Sequence, residues 1–188
     1  MKKTIFALAV FSALGLGAAQ AATVGAEGII NFTGTINGDS CVLHSNGAGS
    51  AGGGMLSYDM GAVSVHSLGT ADAPATSATN GVTTLPIAMN LQLECVSGTS
   101  VDLELTPTIA SGKGIGVTGG ANGVQIMLVQ GGTAVDFTNG SANVAVPLSN
   151  GKAALDLTAY YTLRDGVDTA DVVPGTANGT VNYVLKYD

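Results

Sequence analysis

Short stretches of the chain alternate between apolar and polar residues with a period of two, which is the pattern of a half-buried β-strand. In IAMNLQLEC (87–95), Ile87, Met89, Leu91 and Leu93 share one face. Strands are also predicted in GIINFTGTI (28–36), SVDLELTPTI (100–109), GVQIMLVQ (123–130), AVDFT (134–138), VAVPL (144–148), AALDLTAYYTL (153–163) and VNYVLKYD (181–188), and the signal is weaker in 55–65. Glycine- and serine-rich segments separate these stretches, and SNGAGSAGGG (45–54) is predicted to be a loop. About eight short strands with turns between them predict an all-β sandwich.

Both ends of the chain carry an alternating strand. The apolar positions of the first are Val24, Ala26, Gly28, Ile30 and Phe32, and those of the last are Val181, Tyr183, Leu185 and Tyr187. Native proteins usually blunt such edge strands with charge or proline, and Lys186 is the one basic residue in the last strand. Two interpretations remain open at this point. The ends pair with each other inside one domain, or they are reserved for neighbouring copies.

The first 21 residues read as a signal peptide. Lys2 and Lys3 precede an apolar run that is shorter than the ~20 residues of a spanning helix, and Ala19-Gln20-Ala21 is a cleavage site of the A-x-A type. We therefore expect the chain from Ala22 onward to be exported.

The net charge of the chain excludes one class of function. Without Lys2 and Lys3, four of the 6 Lys and Arg residues stand against 13 Asp and Glu, a net charge of −9. Nucleic-acid binding needs clustered cations, so it is excluded.

The two cysteines, Cys41 and Cys95, are predicted to form a disulfide in an exported protein, which would stabilise the fold by about 4 kcal/mol on the chain-entropy model. With only two histidines, His44 and His66, no metal site is expected.

No motif predicts an enzyme or a cofactor. GIGVTG (114–119) matches the dinucleotide-binding spacing, but GANG follows instead of a helix, so we interpret it as a glycine-rich turn. Asp102 and Glu104 share a strand face and are predicted to be solvated rather than a paired-carboxylate site. We expect no catalytic residue, no bound cofactor and no metal.

Four elements in order resemble the type 1-like shaft pilins of chaperone–usher fimbriae. They are GIINFTGTINGDSC (28–41), IAMNLQLEC (87–95), GVQIML (123–128), and a C-terminal motif with Gly175 fourteenth from the end and Tyr187 next to last. The resemblance implies an incomplete immunoglobulin-like sandwich that lacks its last strand and is completed by donor-strand exchange. It implies residues 22–33 as the donor-strand extension and residues 34–188 as the pilin domain.

The resemblance also implies the site residues and the partners. The donor strand presents Val24, Ala26, Gly28, Ile30 and Phe32, with Gly25 as an alternative to Gly28 for the family's donor glycine. The acceptor groove and chaperone-binding strand comprise Gly175, which opens that strand, and Val181, Tyr183, Leu185 and Tyr187. The partners would be identical or related pilins, a periplasmic chaperone and an outer-membrane usher, and the product a cell-surface fimbria.

The position of the subunit in the fibre stays open. A chain with both a plug and a groove favours a major shaft subunit, and the alternatives are a minor adaptor or a receptor-binding fimbrial adhesin. The absence of tryptophan argues against a site that stacks sugars. A host receptor remains open as a further partner.

Overall fold

The computed structural model describes residues 29, 31, 41–45, 49–52, 54–74 and 86–187. The chain divides into two units, Met1–Ile36 and Asn37–Asp188, and every strand below belongs to the second. The predicted signal peptide lies outside the described residues. So do the predicted donor positions Val24, Ala26, Gly28, Ile30 and Phe32.

Twelve strands are described. They are β1 (Cys41–Ser45), β2 (Gly49–Gly52), β3 (Met55–Tyr58), β4 (Ile87–Cys95), β5 (Ser100–Pro107), β6 (Ala110–Ser111), β7 (Gly114–Gly116), β8 (Val124–Gln130), β9 (Thr133–Ala134), β10 (Ala142–Pro147), β11 (Lys152–Leu163) and β12 (Val181–Tyr187). Two short 3-10 turns, Val65–Ser67 and Thr169–Asp171, complete the described elements. Within the described ranges no helix has the length and hydropathy to cross a membrane. The predicted all-β fold is confirmed.

The strands form two main sheets and a hairpin. The large sheet has the order β1-β4-β11-β8-β7-β6, with β9 also paired to β8. The small sheet has the order β10-β5-β12, and β2 pairs with β3. All of these ladders are antiparallel, for example Leu155 opposite Leu91 between β11 and β4.

The core lies between the two sheets, because each long strand turns its apolar positions to the same side. Leu93 and Leu103, from β4 and β5, are completely buried, as is Phe137 after β9. Their neighbours Gln92 in β4 and Asp102 in β5 point to the opposite side and are exposed. Asp102 thus lies on a solvated face, as predicted, and Glu104 on the same face is half-buried in an ion pair with Lys186.

Two glycine-rich segments predicted as a loop and a turn contain strands. Gly49–Gly52 forms β2 within the predicted loop, and Gly114–Gly116 forms β7 within GIGVTG. Strands of small residues carry no alternating apolar signal, so the pattern could not reveal them. In β7 the glycines are required for space, because a Cβ on Gly116 would lie 2.6 Å from Cγ2 of Ile109.

Candidate functional site

An apolar groove of about 1350 Å³ opens beside the small sheet. Its floor is the inward face of the large sheet, and its walls are the segment 54–65 and the segment 172–183, which includes the start of β12. Among the described residues that line it, Asp59 is the one carboxylate and there is no histidine. The groove is therefore suited to binding an apolar chain rather than to acid–base chemistry.

The inward face of β12 is incompletely covered. Val181, Tyr183 and Leu185 pack against the core but stay only half-buried. Their neighbours on β5 differ: Leu103, opposite Leu185, is 0% exposed. The core is thus closed over the middle strand of the small sheet and open over its last strand.

The same gradient runs along β4 on the floor. Leu93 is 0% exposed and Leu91 is 3% exposed, whereas Met89 and Ile87, on the same face, are only half-buried. All four side chains point inward, so the difference comes from what lies above them. The first half of β4 is therefore less completely covered than its second half.

The outer edge of β12 is also unpaired. β12 bonds to β5 on one side, and within the described part of the chain no strand lies on its other side. Every second residue of this edge therefore directs its backbone N–H and C=O groups away from the sheet, which is the arrangement that accepts an added strand.

The groove includes only part of the predicted acceptor site. Gly175, Val181 and Tyr183 line it, whereas Leu185 packs on the core beyond it and Tyr187 is 40% exposed. Gly175 lies six residues before β12, which begins at Val181, and so does not open that strand.

The second wall was not recognised from the sequence. Leu56, Tyr58 and Met60 turn alternately inward from the segment that contains β3 and pack against the core. Tyr183 Oη donates to Gly54 O at 3.1 Å, which joins the two walls at this point. The alternation of these three residues was a usable signal, but the strand signal over 55–65 was weak and no motif marked it.

Residues 173–180, within the wall formed by segment 172–183, are anchored to neighbouring segments. Ala121 N donates to Thr176 O at 3.0 Å, and Asn178 pairs with Thr118 in an antiparallel bridge. The hydroxyl of Tyr161 donates to Ala177 O, and burial, with a smaller contribution from Asp59, raises the pKa of Tyr161 above its usual range. These hydrogen bonds hold this part of the wall in place.

The predicted disulfide between Cys41 and Cys95 is present. The two residues face each other in the first pair of the β1–β4 ladder, and the bridge spans a sequence separation of 54. His44 and His66 are both exposed. Among the described residues no group of three His, Cys, Asp or Glu side chains is arranged to hold a metal ion.

Among the described residues, the charged side chains other than Asp59 lie outside the groove. Three of the four described basic residues are in exposed ion pairs. Lys113–Asp72, Lys152–Glu94 and Lys186–Glu104 each have an N–O distance of 2.7 Å. The hydrogen bond from Lys152 lowers the pKa of Glu94, and that to Asp72 raises the pKa of Lys113. Such exposed pairs contribute little to stability and indicate no catalytic group.

Comparison with known proteins identifies the family. A family model described as "Fimbrial protein" matches residues 30–188. The chain belongs to the fimbrial protein family. No curated protein is significantly similar to it in sequence.

Solved structures show the fold of this fimbrial protein. A subunit of a chaperone–usher pilus, solved in a study of rod uncoiling, is 19% identical with a TM-score of 0.53, over 87% of this chain and 97% of that one. The P pilus rod subunit PapA is 23% identical with a TM-score of 0.54, over 76% of this chain and 99% of PapA. The CupB6 tip adhesin from Pseudomonas aeruginosa is 17% identical with a TM-score of 0.48, over 57% of this chain and 31% of the adhesin. A likeness that weak does not bear on function.

The fimbrial protein thus has the fold of chaperone–usher pilins. It is exported to the cell surface and assembles with other pilins, and its family is structural rather than enzymatic. Its groove is the candidate site of that assembly.

Proposed function

We propose that this pilin is the major shaft subunit of its fimbria, and that the groove beside β12 receives residues 22–33 of the next copy. The observation that carries the proposal is the half-buried column Val181, Tyr183 and Leu185, on a strand whose outer edge is unpaired and which borders an apolar groove. One added strand would satisfy that edge and cover the column together.

The proposed occupant has the matching pattern. Ile30 and Phe32 lie on one face of residues 22–33, and burying each would contribute about 1.5–3 kcal/mol. Backbone pairing with β12 would add about 0.5–1.5 kcal/mol per hydrogen bond. Since the plug and the groove are different surfaces of one chain, the contact is head-to-tail and builds a filament.

Before assembly, an open groove of this kind needs a temporary cover. We assign that role to a periplasmic chaperone that lends a strand to β12, and the delivery of subunits to an outer-membrane usher. Exposed apolar grooves with unpaired edges are otherwise aggregation sites.

The shaft position has two supports. One chain carries both the groove, in its pilin domain, and the proposed plug, in residues 22–33, so each copy can join to a copy on either side. In addition, PapA, which the chain covers over 99% of its length, is a rod subunit.

The test uses the exported chain, residues 22–188, with Ile30→Asp and Phe32→Asp, so that it cannot fill a neighbour's groove. The thermal unfolding of this chain is measured without peptide and with a peptide of residues 22–33. A control peptide carries the same two aspartates at positions 30 and 32. At about 100 times its dissociation constant, a bound peptide stabilises the fold by about 2.7 kcal/mol. We expect a clear rise in the Tm of the chain with the native peptide and no rise with the control peptide. Equal curves with both peptides would mean that the groove does not accept this strand.

A further inference from the structure

Methionines are concentrated around the groove. Of the 5 methionines in the sequence, Met55, Met60 and Met89 line it. Met127 is 0% exposed in β8, and Met1 belongs to the predicted signal peptide. The exported chain therefore places three of its four thioethers in the proposed assembly site.

Two of the three turn toward the core from different parts of the groove. Met89 lies on the floor, on the half-buried part of β4, and Met60 lies on the wall formed by segment 54–65. Both pack against the buried cluster and keep part of their surface open. Met55 differs, because it points outward from β3 and is 73% exposed.

We propose that Met60 and Met89 are oxidant-sensitive sites that decide whether the empty groove accepts a strand. This inference rests on the proposed function, since it concerns the same groove and the same occupant. The reagent is hydrogen peroxide. Its O–O bond breaks, one oxygen atom forms the S=O bond of methionine sulfoxide, and the other leaves as water with both hydrogen atoms. Sulfur is oxidised by two electrons and the peroxide is reduced.

The consequence follows from polarity. A thioether is apolar and flexible, and adapts to the side chains packed against it. A sulfoxide is polar, and a strand that buried it without a hydrogen-bond partner would lose affinity. Conversely, a seated strand covers both sulfur atoms. Oxidation would thus act on the unassembled subunit and spare the assembled one, and methionine sulfoxide reductases could reverse it.

The first experiment uses the four methionines as internal controls. Residues 22–188, as unassembled subunits and as fibres separated by size, receive the same pulse of hydrogen peroxide, and peptide mass spectrometry gives the sulfoxide fraction at each methionine. We expect Met55 to be oxidised in both forms and Met127 in neither. Met60 and Met89 should be oxidised roughly tenfold less in fibres than in subunits, because burial excludes the oxidant. Equal oxidation of Met60 and Met89 in the two forms would overturn the inference.

The second experiment measures binding of the peptide of residues 22–33 to the non-polymerising chain with Ile30→Asp and Phe32→Asp, before and after peroxide. Oxidation should weaken binding by about tenfold or more, since the polar group is buried without a partner. In the same chain with Met60→Leu and Met89→Leu, the affinity after peroxide should stay close to the affinity of that variant before peroxide, because neither side chain can form a sulfoxide.

The outcomes separate the two proposals. If the unoxidised chain does not bind the peptide, the proposed function fails. If it binds equally well with Met60 and Met89 oxidised, only the present inference fails. If the double leucine variant still loses affinity after peroxide, Met55 or Met127 carries the effect and the assignment to Met60 and Met89 is wrong. The mass-spectrometric experiment needs no variant at these positions, so it stands even if the leucine chain does not fold.

Discussion

Gly175 is required where two backbone segments approach closely in one wall of the groove. A Cβ at this position would lie 2.4 Å from the carbonyl carbon of Gly120 and 2.5 Å from the nitrogen of Ala121. Backbone atoms cannot rotate away, so we expect Gly175→Ala to destabilise the fold by about 1–3 kcal/mol, as overpacking does. Denaturant unfolding of the two chains measures it.

Gly120 provides the matched control on the other side of the same close approach. A Cβ there would meet Cα of Gly175 at 3.7 Å, which is ordinary van der Waals contact. Gly120→Ala should therefore cost much less than Gly175→Ala. Similar losses for both would show that the close approach is not what requires Gly175.

Tyr161 makes the stability of the fold depend on pH in the alkaline range. Its folded pKa is raised above 10.0, mainly by burial, so the fold favours the neutral hydroxyl that donates to Ala177 O. This contribution is present below the unfolded pKa and is lost as pH rises through the folded pKa. We expect Tyr161→Phe to be about 0.5–1.5 kcal/mol less stable at neutral pH and to lose less stability above about pH 10.

The measurement is urea unfolding of both chains across that pH range. Tyr160→Phe controls for the loss of a phenol, because Tyr160 is the preceding residue of β11 and lies on its opposite face. A wild-type curve that stays parallel to that of Tyr161→Phe would contradict the assignment.

At the scale of elements, the same substitution can be made on each face of the proposed donor strand, because an isoleucine is present on both. Ile30 is on the face that would enter the groove, and Ile29 is its neighbour on the other face. Ile30→Asp should abolish fibres, because a buried unpaired charge is costly, whereas Ile29→Asp should leave them. Electron microscopy and size-exclusion chromatography of the exported chains measure this, and fibres from Ile30→Asp would remove the strand assignment.

The elements that the sequence predicted well are those with long alternation. The inward residues of β4, β5, β8 and β11 are mostly buried in the structure, because each strand packs one face on a shared core. β2 and β7 were not predicted as strands because glycine has no side chain to show which face is buried.

The residues of the groove could be predicted from the sequence only where they lie within a single alternating strand. The alternation in the last strand placed Val181 and Tyr183 on one face, and both line the groove. The wall of segment 54–65, the contact from Tyr183 to Gly54 and the close approach at Gly175 join residues far apart in sequence, and a local pattern carries no information about them.

At the scale of the whole molecule, the bridge between Cys41 and Cys95 restricts the unfolded chain. Replacing both cysteines with alanine should lower stability by about 2–4 kcal/mol, because the unfolded ensemble gains the freedom of a long loop. Thermal unfolding of the exported chain and the variant tests it, with non-reducing mass spectrometry to verify the bond. Equal stability would show that strand pairing alone fixes β1 on β4.

The same bridge changes how the chain carries tension. A pull on residues before Cys41 reaches β4 directly through the two sulfur atoms, so the loop between Cys41 and Cys95 bears no load. That loop, with its sequence separation of 54, would otherwise add about 180 Å when extended. Single-molecule stretching with and without reductant should show this difference in contour length. Under oxidising conditions the glycine-rich hairpin β2–β3 and one wall of the groove lie in a mechanically shielded part of the subunit.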